Sequence, residues 1–212
     1  IGALVWYHAT LREAPLREAP ATDSLFAVRA THSQKVAGLF FATAIGLFLL
    51  QILIGAITAH YAVEGQTFYG FNLSDWFPYS LVRTWHTQLA VFWIATAWLG
   101  TGLYIAPALS GHEPKYQWQL SLFLWAALVF IVLGSMAGEW LAIQQVLDLD
   151  TSYWFGHQGQ EYVDLGRFWQ LFLMLGLTIW LALVTRSIYP ILGQKNDQQA
   201  VIWVLYLSCI AI

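Results

Sequence analysis

Charge is what this chain has least of. Its 212 residues include 9 Lys and Arg and 12 Asp and Glu, so only 10% are charged. A soluble domain carries about 25%. That shortage argues against a soluble globular protein, and nothing resembles a basic nucleic-acid surface or a glycine-rich nucleotide loop. Cysteine is nearly absent too: Cys209 stands alone, which rules out an intrachain disulfide and any cysteine cluster. No signal-peptide pattern opens the chain.

Apolar sequence fills the space. Hydrophobic residues make up 58%, and from Thr84 to His112 there is no Asp, Glu, Lys or Arg. A run of that length spans a bilayer with residues to spare. Many of the 12 Trp, among them Trp76, Trp85, Trp118, Trp140, Trp154 and Trp169, fall near the ends of apolar runs, as an interfacial aromatic belt requires. The predicted fold is all-α, a polytopic membrane helical bundle, because backbone groups in lipid must be satisfied within each segment.

The predicted organisation has three parts. Residues 1–10 read as the end of a preceding membrane span and 11–35 as a polar cytoplasmic linker with Pro15 and Pro20. Residues 36–212 read as a membrane core with spans near 36–61, 84–109, 118–146 and 168–189, and a truncated one at 200–212. Because residue 1 is not Met and the last span stops part way, the sequence is expected to be an interior piece of a longer polypeptide. The near-repeat Leu-Arg-Glu-Ala-Pro at 11–15 and 16–20 is too short for a solenoid unit.

Lys and Arg set the orientation. Arg12, Arg17, Arg29, Lys35, Lys115, Arg186 and Lys195 share one set of alternating connections, and only Arg83 and Arg167 fall in the other. The first set is therefore expected inside. The outer loops, 62–83 and 147–167, then carry Glu64, Asp75, Asp148, Asp150, Glu161 and Asp164.

Two places could carry chemistry. Arg83 and His86 lie three residues apart on one helix face at the mouth of a span. An intramembrane imidazole needs a partner. A heme would suit the pair, with iron on the ring and propionates on the guanidinium. Ala90, Trp93 and Ala97 continue that face with room for a flat macrocycle. A structural histidine and a proton relay are the competing readings. The second place is 154–167, where His157, Glu161 and Asp164 share a short loop with three glycines. A carboxylate beside an imidazole at the membrane surface could take protons from a quinol, or bind a hard cation such as Ca2+. It could also be only a well-bonded interfacial turn.

Lesser features complete the reading. Glu139 lies near the outer end of its span and could serve a proton path or simply reach the headgroups. His60 ends the first span at the outer interface, and His8, His32 and His112 read as inner-surface residues. Gly134-Ser135-Met136-Ala137-Gly138 is a small-xxx-small patch that admits a close neighbour. No set of histidines has the spacing of a non-heme metal site. A six-coordinate iron on His86 would take its second ligand from beyond Ile212 unless His60 reached it.

Arg-Thr-Trp-His-Thr-Gln-Leu-Ala-Val-Phe-Trp at 83–93 resembles the second core helix of quinol-dependent nitric oxide reductases, members of the heme–copper oxidase superfamily. So do Glu-Pro-Lys-Tyr-Gln at 113–117, Gly-Ser-Met-Ala-Gly-Glu-Trp at 134–140, and Trp-Phe-Gly-His-Gln-Gly-Gln-Glu-Tyr-Val-Asp-Leu-Gly-Arg-Phe-Trp-Gln at 154–170. The similarity covers nearly the whole chain, including the linker at 18–24. It implies the first part of a heme–copper oxidase-like core, reducing 2 NO to N2O and water with electrons from quinol, in a bacterial inner membrane. By resemblance His86 is one axial ligand of the low-spin heme b and Arg83 a propionate contact. His157 and Glu161 resemble quinol-pocket residues, with Asp164 beside them. Glu161 also resembles a calcium ligand of the related cytochrome c-dependent enzymes.

The family's second low-spin ligand, its high-spin heme b and its non-heme iron lie on later helices. This stretch therefore holds no catalytic metal ligand and depends on the remaining C-terminal helices of the same polypeptide. The expected partners are quinol, nitric oxide and the bilayer, with a homodimer left open. Two other readings stand: an O2-reducing quinol or cytochrome oxidase, and a non-catalytic membrane module, either a heme-bearing electron-transfer anchor or a channel.

Overall fold

The computed structural model describes residues 29–159, 164–193 and 199–211. The chain divides into two units, Ile1–Ala30 and Thr31–Ile212, and every element below lies in the second. In order these are α1 (His32–Val63), α2 (Leu73–Trp76), α3 (Tyr79–Ser110), α4 (Gln117–Ile143), α5 (Leu149–Phe155), α6 (Arg167–Ile188), a 3-10 turn (Tyr189–Ile191) and α7 (Gln199–Ile210). The fold is all-α, and no strand occurs among the described residues. Four helices are long and apolar enough to cross a membrane: α1, α3, α4, and α6 with its 3-10 extension.

Local chemistry sets the ends. Thr31 Oγ1 accepts from the Gln34 amide at 3.3 Å while Gln34 Oε1 accepts from the Thr31 amide at 2.8 Å, a capping box that starts α1 four residues before its apolar run. Gly111, at φ 62°, ends α3 and donates its N–H to the Pro107 carbonyl. Asp148 caps α5 by accepting from the Thr151 amide at 2.8 Å. Hydrogen bonds from the Thr151 side chain and backbone hold the Asp148 carboxyl below the usual carboxylate range.

Side-chain bridges fix which ends share a face. On one side the Ser33 amide donates to Glu113 Oε1 at 2.6 Å and Arg186 donates to the Lys115 carbonyl at 2.9 Å. On the other, Trp140 Nε1 donates to the Trp76 carbonyl at 2.8 Å and Gln144 to the Asp75 carbonyl at 2.9 Å. The spans thus alternate in direction. Ile45, Leu53, Phe123, Leu133 and Met174 point outward, and Ser121, Ser135, Gln88 and Gln117 are buried. Apolar outside and polar inside is the arrangement a bilayer demands.

α1 and α3 form the most extensive helix pair, and α4 and α6 pack alongside. The glycine patch of α4 does admit close neighbours. A Cβ at Gly134 would collide with the Trp169 ring, and one at Gly138 with the Phe155 carbonyl oxygen. What approaches is therefore an indole of α6 and the C-terminal end of α5. Trp169 Nε1 donates to that same Phe155 carbonyl at 2.8 Å, which locks the contact.

Candidate functional site

His86 lies in the second full turn of α3, on the side that packs against α1. Its half-buried ring edges onto Gly55, where a Cβ would come within 2.6 Å of Cε1 and 2.8 Å of Nδ1. Only glycine leaves room for it. One turn earlier in α1, the Gln51 carbonyl oxygen stands 3.1 Å from His86 Nδ1. A carbonyl only accepts, so Nδ1 carries the proton and Nε2 of the neutral ring keeps its lone pair. A backbone carbonyl holding one ring nitrogen is the outer-sphere arrangement that aims the other at a metal. The residues present therefore fit an iron bound through Nε2.

Gln51 does more than this. Its side-chain Oε1 accepts from Trp93 Nε1 at 2.8 Å, so one residue of α1 holds two positions of α3 seven residues apart. Phe48 packs edge-on against Trp93 with ring centres 5.2 Å apart. Arg83 is exposed one turn before His86, and its carbonyl accepts from Thr87 Oγ1 at 3.3 Å. Reasoning from sequence missed Gln51 and Gly55. The available signal was a glutamine and a glycine four residues apart in an otherwise apolar span, which places them on one face.

Glu139 does not reach the headgroups. It is 2% exposed inside α4. Its carboxyl faces the Gln88 amide and the Trp85 indole of α3, the residues two after and one before His86. None of Glu139 Oε2, Gln88 Oε1 and Trp85 Nε1 closes a well-formed hydrogen bond among the described residues, although all three are buried. Gln88 Nε2 donates to the Asp164 carbonyl at 3.1 Å, which joins α3 to the loop before α6.

That loop brings two of its three predicted site residues together. His157 Nδ1 lies 3.6 Å from Asp164 Oδ2, with His157 partly exposed and Asp164 buried. Asp164 also shapes the turn. Its Oδ1 accepts from the Gln158 amide at 2.6 Å and its Oδ2 from the Gly159 amide at 2.9 Å. Gly159 has φ +79°, a conformation that favours glycine. Gln158 and Gln170 both donate to the Leu165 carbonyl. Glu161, the third residue and the candidate calcium ligand, lies outside the described residues. Among the described residues no group of three or more His, Cys, Asp or Glu converges as a metal site. His60 stays at its own end, stacked on Phe68 at 4.2 Å and 3.2 Å from Glu64.

Fold and site together define a polytopic membrane helical bundle that orients one imidazole and buries one carboxyl behind it. Residues 35–212 match the family described as Cytochrome C and Quinol oxidase polypeptide I, and the chain belongs to that family, within the heme–copper oxidase superfamily. It is also similar to a nitric oxide reductase subunit of Stutzerimonas stutzeri, 27% identical over 135 residues. That match takes in 62% of this chain and 27% of the relative, so the chain spans about a quarter of the relative's length.

Proposed function

We propose that this chain is the electron-entry part of a quinol-oxidising nitric oxide reductase, in which His86 holds a low-spin heme b and the His157 loop receives quinol. The observation that carries the reading is the fixed tautomer of His86, with Nδ1 tied to the Gln51 carbonyl at 3.1 Å and Gly55 clearing space for the ring. A heme bound there would supply a one-electron relay. The chain's own residues do the rest. Gln51 sets the ring's direction, Arg83 offers a guanidinium for propionates, and Trp93 with Ala90 and Ala97 shapes the helix face.

At the loop, His157 offers a ring for one quinol hydroxyl proton, and Asp164 holds the turn that presents it. Glu161 is the second proton acceptor in this reading and the candidate calcium ligand. The high-spin heme b and the non-heme iron that join two NO molecules would come from the rest of the polypeptide, in a bacterial inner membrane. Similarity to a nitric oxide reductase supports NO as substrate. A second reading, reduction of O2, draws support from the family description, which names cytochrome c and quinol oxidases.

The decisive experiment is the reduced-minus-oxidised optical spectrum of the parent polypeptide, with and without CO. A low-spin heme b band plus a CO-sensitive heme is expected, and His86→Ala should remove the low-spin band. An unchanged band in that variant would sink the ligand assignment. Glu161→Ala should impair quinol-driven turnover more than turnover with an artificial donor, and equal losses would count against the quinol role.

A further inference from the structure

The buried carboxyl behind His86 has no part in the reading above. Glu139 is 2% exposed, and the Gln88 and Trp85 side chains it faces flank the ligand position on α3. His86 itself faces the other way, toward Gln51 and Gly55 of α1. The carboxyl and the imidazole therefore sit on opposite sides of one helix, about 10 Å apart by the width of a helix. At that distance in a low-dielectric interior, the charge on one site is felt strongly at the other.

We propose that Glu139 is the redox-linked proton site of the heme centre at His86: it binds one proton when the iron gains one electron and releases it on oxidation. The step balances. Quinol, or a mediator in its place, supplies the electron, which takes ferric iron to ferrous. Glu139 passes from carboxylate to carboxylic acid with one proton from the outer-loop side. Reduction removes one positive charge from the neighbourhood of the carboxylate, and the proton restores it.

Three features support a site with two protonation states. Glu139 Oε2, Gln88 Oε1 and Trp85 Nε1 are buried without hydrogen-bond partners among the described residues, so donor and acceptor capacity around the carboxyl is left uncommitted. A polar path leads outward, from Glu139 to the Gln88 amide, from that amide to the Asp164 carbonyl, and from Asp164 to the partly exposed His157. Among the described residues, Asp164 is a carboxyl group near enough to act on Glu139. Arg83 lies on α3, two residues before Trp85, at the same end of the bundle, and three other titratable groups there have partners of their own. His60 of α1 pairs with Glu64, Asp148 caps α5, and Arg167 of α6 meets Tyr153 and Gln170.

The inference rests on the heme assignment of His86, and the test separates the two. The midpoint potential of the low-spin band would be measured in the full-length holoprotein from about pH 5 to about pH 9, in wild type, Glu139→Gln and Glu139→Asp. One proton per electron makes the wild-type potential fall by up to about 59 mV per pH unit within its window, the value of a tenfold change for one electron. Glu139→Gln should keep the band and lose the slope, and Glu139→Asp should keep a slope in a displaced window. A wild-type slope in Glu139→Gln would overturn the inference. Absence of the low-spin band in wild type would instead overturn the heme assignment. If the variants do not assemble, infrared difference spectra of wild type decide. A protonated-carboxyl band should appear on reduction, and its absence would overturn the proposal.

Discussion

A hydrogen atom at position 55 decides whether His86 can stand where it does. The imidazole lies so close to the α1 backbone that any side chain there would have to displace it. Because the ring is tethered through Nδ1 to the Gln51 carbonyl, it cannot swing aside and keep its tautomer. Gly55→Val is therefore expected to abolish the low-spin heme band while the helices still form, since overpacking costs about 1–3 kcal/mol and the bundle can absorb it elsewhere. A retained band in Gly55→Val would mean that the ring has another resting place. Position 86 could be picked out from the sequence, because an intramembrane histidine near an arginine is rare and costly. The tether could not, since its partner is a backbone oxygen 35 residues away and a carbonyl leaves no trace in residue type. Glu139 was ambiguous for a related reason. A glutamate four residues from a helix end either reaches water or turns inward, and only the placement of α3 decides.

Among the elements, the short ones were hardest to read. The long apolar runs announce α1, α3, α4 and α6, whereas α2 and α5 are four- and seven-residue helices inside polar loops, where no periodicity can develop. The glycine patch on α4 promised a close neighbour but not its identity. Its contacts with Trp169 and the Phe155 carbonyl depend on how α5 folds back. Gly138→Leu should therefore drive α5 off α4 and lower thermal stability in detergent by about 1–3 kcal/mol. Gly38→Ala, where a Cβ meets open space, should be neutral by the same measurement. Equal behaviour of the two would remove the packing argument. α5 also carries a pH dependence. The Asp148 carboxyl is held below its ordinary range in the fold, so its capping contribution is complete above the unfolded value of about 3.9 and fades as pH falls through the lowered folded value. Amide exchange over 149–155 should accelerate there, before the spans respond, and Asp148→Asn should flatten the dependence.

For the molecule as a whole, the family and the all-helical membrane bundle are secure, and the substrate is where the readings part. The parent polypeptide should consume NO and form N2O with quinol as donor. Oxygen uptake without N2O formation would favour the oxidase reading, and heme without either activity an electron-transfer anchor. The chain supplies an oriented imidazole and a buried carboxyl, and the proposed roles of both would suit electron delivery to either gas.

Gln51 grips α3 twice, once by its backbone at His86 and once by its side chain at Trp93. Two grips seven residues apart define a single alignment, and sliding either helix by one turn would break both. The imidazole is thus presented correctly only after the first two long helices have docked. Capture of the proposed heme would then be a late event in assembly, and a chain whose α1–α3 pairing had slipped in register would remain colourless.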